Sequence, residues 1–208
     1  LLAQPKRFNL AKQLLYKATK LTHNYEKAHN NLGIILTKLK EEQKAINCFE
    51  KAIQINPTYT NAHYNLGIAL QELGEHRKAI VYYEKAIHLK PDYAKAYNNL
   101  GIALQESGRL SDAIQNYRLA LSIDPNRPTT YASLASALEE NEDQDGAIEN
   151  YHLALKLDPL YLDAHFNLFA TLEIWFRPLK IWMLPLKIWI LPLKIWMRLY
   201  QNEPKFCL

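Results

Sequence analysis

The sequence predicts an all-α chain, a solenoid built by stacking antiparallel helix pairs. Three observations predict it. Prolines fall at Pro57, Pro91, Pro125 and Pro159, each 34 residues after the last. A leucine followed by a small residue recurs at the same interval: Leu32-Gly33, Leu66-Gly67, Leu100-Gly101 and Leu134-Ala135. So does an aromatic between two alanines: Ala45, Phe49, Ala52; Ala79, Tyr83, Ala86; Ala113, Tyr117, Ala120; Ala147, Tyr151, Ala154. A fixed interval of this kind marks an array of one small unit, whose function belongs to a surface and not to a catalytic pocket.

The elements follow in chain order. Lys6 to Leu21 reads as a second-type helix, with Ala11, Leu15 and Ala18 at the alanine–aromatic–alanine positions. Its first-helix partner would precede residue 1, so 1–25 is read as a partial repeat of a longer array. In each later unit two helical stripes alternate. Leu66, Ala69, Leu70 and Leu73 are spaced by three and four, as are Ala79, Ile80, Tyr83, Ala86 and Ile87, so each segment carries one apolar face. Gly74 separates the first helix from the second, and Pro91 ends the second because its ring fixes φ and has no N–H to donate. Gly67 lies mid-helix, which costs about 1 kcal/mol relative to alanine. A close helix crossing that no Cβ could enter would offset that cost. Such a pair cannot bury its face alone and needs neighbours.

The order Leu-Gly, Ala, Tyr or Phe, Ala, then Pro, repeated at 34 residues, resembles the tetratricopeptide repeat (TPR). The resemblance implies a right-handed α-solenoid with units at 26–59, 60–93, 94–127 and 128–161. A degenerate fifth starts at 162–173, with Ala164, His165, Asn167 and Leu168 in place. The bulky first-helix residue that the family often fills with tryptophan is His29, His63, Tyr97, Tyr131 and His165 here, and Phe169 stands where Gly or Ala belongs. That last copy is therefore not expected to pack by the usual close crossing.

The informative polar residue is the asparagine before the leucine: Asn31, Asn65 and Asn99, with Ser133 interrupting and Asn167 resuming. A carboxamide both donates and accepts, so it can pair with an extended peptide backbone whatever the side chains. With first helices about 10 Å apart, one asparagine would meet roughly every third residue of an extended chain. The alternative is that each amide bonds a neighbouring helix or turn, and periodicity fits both. The strings Asn61-Ala62-His63-Tyr64-Asn65-Leu66-Gly67 and Ala94-Lys95-Ala96-Tyr97-Asn98-Asn99-Leu100-Gly101 are similar to repeats of the O-linked N-acetylglucosamine transferase family. That similarity implies that Asn31, Asn65, Asn99 and Asn167 line the concave face and hold substrate peptide backbone. Other first-helix residues expected in the groove are Lys27, Asn30, Tyr64, Gln71, Lys95, Asn98 and Gln105; their mixed polarity argues against a strongly acidic or basic ligand. The chain is thus expected to bind a protein or peptide segment as a scaffold. The second reading is a substrate-recognition arm of a larger glycosyltransferase-like enzyme whose catalytic domain lies outside these residues.

No enzyme, cofactor or metal site is expected. The chain has no G-x-S-x-G, HExxH, Walker loop or Cys-x-x-Cys, each of which would announce a reaction class. Imidazoles at His29 and His63 would stand on helices 8–10 Å apart, too far to share a zinc ion with Zn–N near 2.0–2.1 Å; they read as packing residues. Glu139, Glu140, Glu142 and Asp143 read as a solvated turn. Cys48 and Cys207 are remote from one another, so a reduced, cytoplasmic setting is expected and a disulfide framework is not. The repeats carry no basic stripe, which argues against nucleic acid.

From Ile174 the composition changes. A heptapeptide recurs through Ile181-Trp182-Met183-Leu184-Pro185-Leu186-Lys187, Ile188-Trp189-Ile190-Leu191-Pro192-Leu193-Lys194 and Ile195-Trp196-Met197, and all four tryptophans lie beyond Ile174. Six basic residues against Glu203 leave +5 in 174–208, so the whole-chain charge of +4 leaves −1 for the rest. Lysine every seventh residue argues against a membrane span. The segment reads first as a tandem duplication of coding sequence, second as a membrane-surface or partner contact, third as a packed cap. Open solenoid ends favour self-association.

Overall fold

The first helices of the four complete units end by the same local device. In the computed structural model, which describes residues 4–21 and 25–176, the chain runs α1 (Gln4–Leu21), α2 (Glu26–Lys38), α3 (Glu42–Ile55), α4 (Thr60–Glu72), α5 (His76–Leu89), α6 (Ala94–Glu106), α7 (Leu110–Ile123), α8 (Pro128–Glu140), α9 (Gln144–Leu157) and α10 (Leu162–Phe176). The residue two past α2, α4, α6 and α8 takes a left-handed backbone: Lys40 (φ 58°), Gly74 (φ 77°), Gly108 (φ 77°) and Glu142 (φ 63°). There the next amide reaches back, Glu41 N to Leu36 O, Glu75 N to Leu70 O, Arg109 N to Leu104 O and Asp143 N to Leu138 O, each at 2.9 Å. This is the Schellman closure, which satisfies carbonyls orphaned at a helix end. Glycine adopts that φ freely, whereas a Cβ there costs about 1–2 kcal/mol. Glu142→Gly is therefore expected to stabilise the array by about 1 kcal/mol, read as a higher urea midpoint at unchanged slope; an unchanged or lower midpoint would contradict it.

Second helices end differently. Before each proline the chain turns extended, as at Asn56 (φ −134°, ψ 94°) and Asp124 (φ −135°, ψ 92°), because proline disfavours a helical residue ahead of it. The side chain then folds over the turn: Asn56 Oδ1 accepts from Thr58 N at 3.1 Å and Asp158 Oδ1 from Leu160 N at 3.1 Å.

Helices pair antiparallel within a unit: α2 with α3, α4 with α5, α6 with α7, α8 with α9. Each second helix also packs on the next first helix. First helices touch the following first helix, α2 with α4 through α8 with α10, so they form the inner wall of the stack. Helix α1 packs on α2. The crossing within each unit is closed by an aromatic: Phe49, Tyr83, Tyr117 and Tyr151 are all buried, and so are the alanines on either side of each. A Cβ on Gly33, Gly67 or Gly101 would lie 2.5, 2.6 and 2.6 Å from the ring of Phe49, Tyr83 and Tyr117 respectively. The glycines thus serve close approach, as the periodicity anticipates.

Helix α10 packs through Ala164, Leu168 and Thr171, while Phe169 is 52% exposed. The bulky residue expected to disturb the fifth crossing faces outward at the end of the described array. The histidines at the bulky first-helix position bond backbone: His63 Nε2 lies 2.8 Å from Pro57 O, and His165 Nε2 lies 2.9 Å from Pro159 O. His63 also stacks near Tyr82, with centroids 6.2 Å apart. The expectations for the heptapeptides, for Cys207 and for membrane or partner contact by the tail lie outside the described residues. Among the described residues, no helix is long and apolar enough to cross a membrane.

Candidate functional site on the inner wall

The first helices present two polar rows to the inner side. The upper row holds the asparagines. Asn65 Nδ2 donates to Asn30 Oδ1 at 2.9 Å, and Asn30 Nδ2 lies 3.4 Å from Asn31 Oδ1. One unit on, Asn99 Nδ2 donates to the Tyr64 hydroxyl at 3.1 Å, and Asn98 Nδ2 to Asn99 Oδ1 at 3.2 Å. These bonds stitch α2 to α4 and α4 to α6. Asn30 and Asn98 are buried, Tyr64, Asn65 and Asn99 are half-buried, and Asn31, Lys27 and Lys95 are exposed. At α8 the row breaks, because Ser133 Oγ turns back to its own helix at Thr129 O, 3.0 Å away. Asn167 resumes it, half-buried. Sequence periodicity allowed two roles for these amides. Interhelical bonding is present at Asn65 and Asn99, and it uses one of the four hydrogen-bonding sites of each of these two carboxamides, so it leaves ligand contact chemically open.

The lower row is a relay that the sequence reading missed. The Tyr83 hydroxyl donates to Gln71 Oε1 at 2.9 Å; Gln71 Nε2 donates to Glu106 Oε2 at 3.1 Å, and His76 Nδ1 lies 2.8 Å from the same oxygen. The next unit repeats it. The Tyr117 hydroxyl donates to Gln105 Oε1 at 2.9 Å, and Gln105 Nε2 donates to Glu140 Oε1. In the fourth unit a carboxylate replaces the amide: Glu139 faces the Tyr151 hydroxyl at 3.4 Å and accepts from Thr171 Oγ1 at 3.0 Å. Glu139 and Glu140 therefore belong to the last turn of α8 and to this relay, not to the solvated turn expected from their sequence neighbours. The available signal was the recurrence of Gln71, Gln105 and Glu139, each followed by glutamate, at 34 residues.

Burial moves the relay phenols further from ionising. It pushes the Tyr83 and Tyr117 phenols upward, and raises Tyr151 to about 12, where the Glu139 charge adds to it. Tyr64 is raised by burial too, with Arg127 and the Asn99 bond working the other way. Near neutral pH these hydroxyls keep their protons and act as donors.

The two rows flank an open groove of about 590 Å³ between α6, α8 and α10. Ile102, Ala132 and Phe166 give it apolar surface, Glu106, Glu140 and Asp163 carry charge, and Gln105 and Asn167 join it from the expected set. Asn30, Asn31 and Lys27 lie on α2, and Tyr64, Asn65 and Gln71 on α4; this groove does not include them.

Several known structures are similar. A MamA crystal structure aligns with TM-score 0.68 at 28% identity over 73% of this chain and 89% of that one. YrrB, described as a TPR protein with an unusual peptide-binding site, aligns with TM-score 0.66 at 21% identity, covering 78% of this chain and 84% of that one. TTC0263, a thermophilic TPR protein of Thermus thermophilus, aligns with TM-score 0.65 at 21% identity, covering 80% and 91%. No curated protein sequence matches the chain. Tetratricopeptide-repeat family models match residues 26–59, 60–93, 94–127 and 128–159, well over half of the 208 residues. With the helix pairs, the buried aromatics and the inner wall in place, the chain belongs to the tetratricopeptide-repeat family.

Proposed function

We propose that this chain is a protein-interaction module that holds an extended peptide segment along the wall built by its first helices. The observation that carries the reading is the asparagine row. Its amides line one side of the stack, and each lateral bond occupies only part of the amide's capacity. An extended backbone supplies donors and acceptors at regular spacing, which a row of carboxamides can meet without reading side chains. Peptide binding described for YrrB is in keeping with this, although that likeness extends to the fold alone.

The test is Asn65→Ala combined with Asn99→Ala, titrated against fluorescein-labelled peptides by anisotropy. Two lost amide contacts at about 0.5–1.5 kcal/mol each are expected to weaken binding roughly 5- to 150-fold. Helix content by circular dichroism is expected to stay unchanged. Normal binding by the double variant would assign the row to interhelical bonding alone.

A further inference from the structure

We propose that the groove between α6, α8 and α10 selects a cationic extended segment, with lysine or arginine on either side of one apolar residue. This rests on the peptide-groove reading above and names the ligand class for one stretch of it. The groove is lined by Glu106, Glu140 and Asp163 and by no lysine, arginine or histidine. Glu106 and Glu140 hold the same place in successive first helices, where α4 carries Glu72 and α2 carries Lys38; the place is acidic from the second unit onward. Its carboxylates are kept at the surface and pointed by the relay. Gln71 donates to one oxygen of Glu106, with His76 Nδ1 2.8 Å from the same oxygen, yet the Glu106 side chain is 43% exposed. A carboxylate offers about four lone-pair sites, so such a contact leaves room for an ammonium or guanidinium group.

A second feature is independent of charge. Phe166 lines the same groove and is 73% exposed, and Ile102 and Tyr161 border it. A large exposed aromatic beside partly buried apolar walls suits an anchor for one apolar ligand side chain. Carboxylates around such an anchor act chiefly on selectivity and association rate, repelling acidic segments and drawing basic ones. Between α6 and α10 the charges lining the groove are of one sign, in place of the mixed polarity expected from the sequence set.

Three labelled nonapeptides test this, sharing a central leucine and flanked by lysine, serine or glutamate, each titrated against the full chain by anisotropy. The lysine peptide is expected to bind about tenfold more tightly than the serine peptide at about 50 mM salt. The advantage should shrink at about 300 mM as the charges are screened, and the glutamate peptide should bind weakest. Glu106→Gln with Glu140→Gln keeps side-chain shape and an acceptor for each relay amide. It is expected to weaken the lysine peptide about tenfold and to leave the serine peptide unchanged. Equal lysine and serine affinities that the double variant does not alter would overturn the charge selection and leave the peptide groove standing. Binding of none of the three would overturn both.

Discussion

Tyr83→Ala is expected to destabilise the array by about 3–5 kcal/mol, the range for truncating a large buried aromatic. The ring is fully buried and fills the crossing between α4 and α5, with its edge against the Gly67 backbone. Alanine would leave a void between the Gly67 backbone and the Tyr64 ring, whose centroid lies 6.0 Å from that of Tyr83. The hydroxyl contributes separately. Without it Gln71 Oε1 loses its 2.9 Å donor, a loss of about 0.5–1.5 kcal/mol that Tyr83→Phe isolates. In a stacked array each unit leans only on its neighbours. The damage should therefore appear as two urea transitions, with the units on either side of residues 60–93 melting apart. A single transition within about 1 kcal/mol of the parent would mean that the ring does not close the crossing.

How much of this was legible depended on the range over which each feature is determined. Helix ends were readable because a left-handed residue or a proline acts locally: Gly74 and Pro91 mark the same boundaries in sequence and in space. Lys40 and Glu142 perform the job of Gly74 without its composition, and only the backbone shows it. The close crossing at Gly67 was readable from the repeating small residue, whereas the ring that meets it, Tyr83, was not.

The upper row was legible only in part. Its asparagines recur, but Asn65 and Asn99 bond a preceding-unit position that is filled by Asn30, Tyr64, Asn98, Ala132 and Phe166 in turn. A partner that varies leaves no period to find. The lower row had the opposite difficulty: Gln71, Gln105 and Glu139 repeat clearly, but nothing local says that a buried tyrosine from the second helix will aim them at the next unit's glutamate. The acidic groove followed the same logic. Glu106, Glu140 and Asp163 come from three helices, and only stacking sets them on one face.

Gly101→Val tests why glycine occupies the crossing, and it is expected to cost about 2–3 kcal/mol. Two effects oppose one another here. A Cβ improves helix propensity by up to about 1 kcal/mol over glycine, while at this place it would lie 2.6 Å from Tyr117 Cε1. Overpacking of that kind costs about 1–3 kcal/mol. One methyl is close to balance, as the fourth unit indicates: Ala135 takes the equivalent position, fully buried in the same cluster as Tyr151. Gly101→Ala should therefore stay within about 1 kcal/mol of the parent. Valine adds two carbons on a stiff χ1, and the ring is buried in the core cluster with little room to give. If contact with the ring is the cause, the cost should vanish with the ring. In a Tyr117→Leu background, Gly101→Val is expected to cost less than about 1 kcal/mol, giving a coupling above about 1 kcal/mol between the two sites. The same cost in both backgrounds, measured by urea unfolding, would show that the mid-helix glycine answers to something other than the aromatic across the pair.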